Sequence, residues 1–270
     1  MRLRAITGFF FIIVMLGSVL LGQYVFDVFY LLLSAFCLWE FYSNVEKSGT
    51  NPNWITGLTS GVLIYSVYAI TTHFHDSFHA KLPAVLPVIL SMIFIQELFK
   101  KHEKPFTNVA YTYLGIFFTV VPFTFFHALG YINGSYNFHF PIAFLLMLWA
   151  NDTGAYLVGS KFGKTKLFER HSPKKTWEGF IGGIIITAGA ALVINNYYTD
   201  ISVAQWVTMG VLISCFGTIG DLIESMFKRS INIKDSGGLL PGHGGLLDRF
   251  DGLLIAAPIV YAYLHFVTNS

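Results

Sequence analysis

Eight ionisable side chains fall within the 27 residues from Ser225 to Asp251, in a chain that is only 12% charged overall. They are Lys228, Arg229, Lys234, Asp235, His243, Asp248, Arg249 and Asp251, and six glycine or proline positions stand from Gly237 to Gly245. Glycines let backbone N–H groups come close to an anion, and basic side chains add positive charge. Carboxylates in the same stretch would repel that anion unless a cation stands between them. The combination suits a metal ion and a phosphorylated ligand. A merely solvated basic loop has no need of His243-Gly244-Gly245 followed by Asp248-Arg249 and Asp251.

The carboxylates are spaced to meet. Asp221, Glu224, Ser225 and Lys228 stand at i, i+3, i+4 and i+7, which is one face of a helix. If a helix begins near Leu246, Asp248 and Asp251 share a face as well. Asp221, Asp248 and Asp251 can then converge from two neighbouring helices as hard oxygen ligands for Mg²⁺, with room for a second cation. The competing reading is a pair of salt bridges, Asp221 to Lys228 and Asp248 to Arg249. Upstream, six basic side chains lie between Lys161 and Lys175. Lys174-Lys175-Thr176 is expected at a helix N-terminus, where free N–H groups and the helix dipole favour phosphate. Two lysines there suit a triphosphate; a topology signal or an anionic-lipid contact is the alternative. Asn151-Asp152 interrupts an apolar run and is expected to face the same cavity.

The elements that must hold these groups are membrane helices. The 270 residues are 54% hydrophobic and 17% aromatic. Nine spans are expected, at about 5–22, 25–42, 54–72, 83–99, 108–129, 139–159, 177–196, 204–224 and 252–268. Arg2 and Arg4 precede a retained first span rather than a cleaved signal peptide. With the N-terminus inside, 16 of 17 Lys and Arg residues fall on the cytoplasmic side and only Lys81 outside, which leaves the C-terminus outside. Glu40, Glu97, Asp152, Glu178, Asp221, Glu224, Asp248 and Asp251 all lie near that cytoplasmic side, implying a polar cavity open to it. Glu40 and Glu97 are expected to be interfacial anchors. The expected fold is an all-α integral membrane protein, a polytopic bundle of about nine transmembrane helices. It forms one domain over residues 1–270, with N-terminal spans over 1–138 and catalytic spans and loops over 139–270.

Other features read as structural. Cys37 and Cys215 are small core residues. Gly179, Gly182 and Gly183 suit close helix packing. His73, His75 and His79 cluster with Asp76 in an outer loop without a convincing zinc ligand set.

Ser225, Lys228-Arg229, Lys234-Asp235, Gly237, Pro241, His243-Gly244-Gly245, Asp248-Arg249 and Asp251 together resemble the signature of phosphatidate cytidylyltransferases, the CDP-diacylglycerol synthases. Ser172-Pro173-Lys174-Lys175-Thr176-Trp177-Glu178-Gly179 is a second family-like stretch, whereas the first 140 residues are similar only in being hydrophobic spans. The resemblance implies that CTP and phosphatidate give CDP-diacylglycerol and pyrophosphate. It places Lys228 with Asp221, Asp248 and Asp251 in the catalytic set. It places Asn151, Asp152, Ser172, Lys174, Lys175, Thr176, Ser225, Arg229, Lys234, His243, Gly244, Gly245 and Arg249 on the substrates. The implied partners are CTP, phosphatidate and membrane lipids, without nucleic acid, in a homodimer of a bacterial inner membrane. A related lipid cytidylyltransferase, a polyprenol kinase, or an anion transporter are the rival readings. Internal repeats typical of transporters are not evident, and the polar groups crowd one side.

Overall fold

The computed structural model describes residues 2–74, 78–233, 236–237 and 244–268, with side chains from Thr7 onward. Lys234, Asp235, Pro241 and His243, like His75 and Asp76, lie outside the described residues. The described helices follow the expected order: α1 (Arg2–Leu20), α2 (Gln23–Lys47), α3 (Trp54–His73), α4 (His79–Leu98), α5 (Pro105–Leu129), α6 (His139–Phe162), α7 (Trp177–Asn195), α8 (Val203–Ser230) and α9 (Leu247–Thr268). Eight of them are long and apolar enough to cross a membrane, and the apolar part of α1, Thr7–Leu20, is shorter. The protein is a multi-pass helical membrane bundle.

Local chemistry sets several of the boundaries. Ser202 caps α8 through a reciprocal box: its hydroxyl accepts from Gln205 N at 3.3 Å, and Gln205 Oε1 accepts from Ser202 N at 2.7 Å. At the far end Asn232 adopts φ 58°, a left-handed conformation that Asn tolerates better than most residues, as the chain leaves the helix. α8 has 28 residues. At about 1.5 Å rise per residue it is about 42 Å long, against a hydrocarbon core of about 30 Å. About 12 Å of it therefore extends beyond that core. Within α5 the hydrogen-bonding shifts to a π-turn over Ile116–Val120, just before Pro122, which has no amide hydrogen to donate.

One local expectation is refined. Lys174-Lys175-Thr176 does lead into a helix, but as the end of a strand, β2 (Ser172–Thr176), antiparallel to β1 (Lys166–Phe168), with Lys166 opposite Thr176 and Phe168 opposite Ser172. The helix begins only at Trp177, capped by the Thr176 hydroxyl, which accepts from Gly179 N at 3.2 Å. Glu178 accepts from Lys164 N at 3.1 Å and from Thr165 N at 3.1 Å, fastening the hairpin to α7. Glu178 is thus used by backbone amides rather than by a cavity.

Glu40 and Glu97 are not interfacial anchors either, since each is only 4% exposed. Glu97 accepts from Asn53 at 2.8 Å and Asn108 at 3.1 Å and lies 2.9 Å from His102 Nδ1, tying the ends of α3, α4 and α5 together. At the opposite end of the bundle, Asp27 Oδ1 accepts from Tyr131 at 2.7 Å and faces His127 Nε2 at 2.8 Å, with His73 Nδ1 3.8 Å from Oδ2. The sequence groups His73 with other outer-loop histidines instead, because its partners Asp27 and His127 lie far away along the chain, 100 residues from each other.

Candidate active site

Glycines bring the catalytic helices together. α8 meets α9 where Gly217 and Gly220 face Gly252; a Cβ on Gly220 would overlap the Asp251 carbonyl, and one on Gly252 would lie 3.4 Å from the Gly217 Cα. Side chains here would force the helix axes apart. Because Gly220 precedes Asp221 and Asp251 precedes Gly252, this contact sets the two carboxylates beside each other. Gly179, Gly182 and Gly183 do the same for α7 against α6: a Cβ on Gly179 would come 2.9 Å from Ala155 O, and one on Gly183 2.5 Å from Asn151 Oδ1. The buried Asn151 Oδ1 accepts from Ser214 at 2.6 Å, and Ser214 also reaches Thr187 at 3.2 Å. Asn151 therefore locks α6, α7 and α8 in place, and its neighbour Asp152 is held in the space between them. Gly220→Val is expected to lower turnover at least about tenfold by parting α8 from α9, while membrane insertion persists. Turnover within about twofold of wild type would show that the glycine contact does not set the site.

Two cavities open at this end of the bundle. The first, about 450 Å³, is lined by Lys174, Lys175 and Thr176 of the hairpin and by Asn151 and Asp152 of α6 and Asp221 of α8. The second, about 510 Å³, is lined by Phe11 and Ile12 of α1 and by Asp248, Arg249 and Asp251 of α9. Asp152 and Asp221 border both. The acidic wall is thus built from three helices, with Asp152 of α6 facing the cavity as expected and joining Asp221 and Asp251.

The ion pairs differ from those of the competing salt-bridge reading, and their burial separates their roles. Lys175 Nζ is 2.7 Å from Asp221 Oδ2, with 25% and 39% of the two side chains exposed. A pair so exposed contributes about 0–1 kcal/mol and is readily exchanged for another partner. Lys228 Nζ lies 2.5 Å from Asp248 Oδ1 and 2.6 Å from Glu224 Oε2, with side-chain exposures of 13%, 13% and 1%. Removing one member of such a buried set costs about 3–5 kcal/mol. Asp248 Oδ2 also accepts from Ser236 N at 3.2 Å, Ser236 Oγ at 2.9 Å and Gly245 N at 3.0 Å. Both Asp248 oxygens are therefore engaged by protein donors and bind the loop to the start of α9.

Ser225 donates to Asp221 Oδ1 at 3.4 Å on the predicted helix face. Arg229 donates to Ile233 O at 3.1 Å, closing the end of α8, and so serves the loop. Gly244 has φ 84°, which a side chain would strain. Ser172 opens β2 and is half-buried. Among the described residues no three of His, Cys, Asp and Glu are gathered at metal-ligand spacing. The donors facing the two cavities are nonetheless hard carboxylate oxygens, which fit a divalent cation shared with phosphate.

The chain matches the family model for the cytidylyltransferase family over residues 2–267. It is 34% identical over 264 residues to the phosphatidate cytidylyltransferase of Staphylococcus aureus (strain COL), covering 96% of this chain and 97% of that one. A phosphatidate cytidylyltransferase of Staphylococcus haemolyticus (strain JCSC1435) is 30% identical over the same shares. With a basic hairpin and an acidic wall meeting across one opening, and a likeness that runs nearly from end to end, the chain belongs to the cytidylyltransferase family.

Proposed function

We infer that this protein is a phosphatidate cytidylyltransferase, transferring CMP from CTP to phosphatidate to give CDP-diacylglycerol and pyrophosphate. The observation that carries this reading is the pair of cavities that share Asp152 and Asp221, one walled by lysines and the other by apolar residues of α1. The lysine-lined cavity takes the triphosphate. The second takes the lipid phosphate beside Arg249, with the acyl chains leaving past Phe11 and Ile12 into the bilayer.

An oxygen of the lipid phosphate attacks the α-phosphorus of CTP as the bond from that phosphorus to the pyrophosphate oxygen breaks. The second pKa of a phosphate monoester is about 6, so the nucleophile is ionised at neutral pH and needs no strong base. What it needs is positioning and relief of repulsion between anions. Lys175, held by an exposed and exchangeable pair, moves from Asp221 to the triphosphate, and Lys174 adds charge at the rim. Asp221 is thereby released. Asp221 and Asp251, with Asp152 across from them, would hold Mg²⁺, which when bound neutralises phosphate charge. Lys228 and Asp248 act by holding the loop, rather than as the catalytic residue and metal ligand expected from sequence. The site faces the cytoplasm of a bacterial inner membrane, in keeping with the distribution of Lys and Arg, and the proposed assembly is a homodimer.

Incubating the purified protein with labelled CTP, Mg²⁺ and phosphatidate tests the reading: CDP-diacylglycerol should form. Product appearing only with an isoprenoid ether phosphate or a polyprenol would overturn it. Replacing Lys174 and Lys175 together with Ala is expected to raise KM for CTP about tenfold or more and to leave KM for phosphatidate unchanged. An unaltered KM for CTP would remove both lysines from the nucleotide site.

A further inference from the structure

Gly237 and Gly245, in the Ser225–Asp251 stretch, face a carboxylate from the other half of the chain. Glu40 of α2 is 4% exposed, and its Oε2 accepts from Leu246 N at 2.6 Å and from Leu247 N at 3.4 Å. It therefore occupies the N-terminus of α9, where unsatisfied N–H groups and the helix dipole favour a negative charge. Its other oxygen, Oε1, lies against the loop. A Cβ on Gly237 would sit 2.5 Å from Oε1, with Glu40 Cδ and Cγ the next nearest atoms, and a Cβ on Gly245 would overlap Oε1 and the Ser236 hydroxyl. One turn further along α2, Asn44 Nδ2 donates to Ser236 O. On the same helix Phe41 stacks on Phe227 of α8, with ring centroids 4.7 Å apart and planes at 12°.

We propose that Glu40 is a positioning residue for the reaction, holding the loop and the first turn of α9, and that Gly237 and Gly245 lack side chains because Glu40 fills their space. α2 thus reaches across from the N-terminal spans to hold both sides of the loop between α8 and α9. Glu40 acts through Leu246 and Leu247 on the turn that carries Asp248 and Arg249, and one turn later Asp251. The alternative use of these glycines, close approach of backbone to phosphate, does not require Glu40.

The proposal rests on the cytidylyltransferase reading for its kinetic arm, and a second arm is independent of it. Glu40→Ala is expected to lower kcat about tenfold or more while KM for CTP stays within about twofold, because the hairpin lysines are untouched. Glu40→Gln, which keeps an acceptor for Leu246 N, should recover most of that loss. Gly237→Ala should be damaging in the wild-type background, where the methyl meets Glu40, and nearly silent in Glu40→Ala. In hydrogen exchange, the peptide containing Leu246 and Leu247 should lose protection in Glu40→Ala and in Gly237→Ala, with no further loss in the double variant. If wild-type protein makes no CDP-diacylglycerol, the functional reading fails and the exchange cycle alone decides. Near-normal kcat in an active Glu40→Ala protein, unchanged protection in Glu40→Ala, or equal costs of Gly237→Ala in both backgrounds would overturn the proposal.

Discussion

Asp221→Asn is expected to abolish CDP-diacylglycerol formation while leaving the fold intact. The substitution preserves size and most hydrogen bonding and removes one charge. Asp221 borders both cavities, so that charge stands where the two phosphorylated substrates must meet. Loss of one preorganised electrostatic contact at a reacting centre lowers kcat by about 10²–10³. Stability should scarcely change, because the ion pair lost among the described residues, to Lys175, is partly exposed on both sides and contributes about 0–1 kcal/mol. Turnover measured across a Mg²⁺ titration, alongside thermal unfolding in detergent, separates the two effects. Wild-type turnover with the same Mg²⁺ dependence would exclude Asp221 from the reacting centre. A large loss of stability would show that the Lys175 pair is structural after all.

Asp248→Asn is expected to lose turnover by a different route, together with stability. An Asn at 248 leaves Lys228 paired with Glu224 alone. Its side-chain NH2, which donates and cannot accept, would face one side of a cage of donors made by Lys228, Ser236 and Gly245. Breaking a buried charged set of this kind costs about 3–5 kcal/mol, a large part of the stability of most domains. Thermal unfolding should fall markedly, and amide exchange near Gly245 should rise. An Asp248→Asn protein that is inactive yet as stable and as protected as wild type would return Asp248 to the metal-ligand role first expected from its spacing. The contrast with Asp221→Asn is therefore diagnostic: two carboxylates of one sequence stretch, one lost without structural cost and the other not.

Much of the fold was legible because membrane helices report themselves locally. A span must be apolar over its whole length and must satisfy its own backbone, so the nine segments and their order follow from runs of residues. Asp221, Ser225 and Lys228 sharing a face follows equally from a period of 3.6. The close packing at Gly179, Gly182 and Gly183 was legible for the same reason, since small residues at helical spacing have few other uses in a membrane.

Pairing was not legible, because it depends on which helices touch. Lys175 was expected to point at phosphate from a helix end; a hairpin instead sends it to Asp221 on α8, 46 residues away. The competing salt-bridge reading paired Lys228 with Asp221, yet it reaches Asp248 across the α8–α9 contact set by Gly217, Gly220 and Gly252. The largest departure is Glu40, a lone acid read as an interfacial anchor. Sequence by itself determined that this acid is costly in an apolar run. Only the tertiary structure decided what it meets, because the amides it binds and the glycines that make room for it lie about 200 residues downstream and approach α2 only when the two halves of the bundle pack.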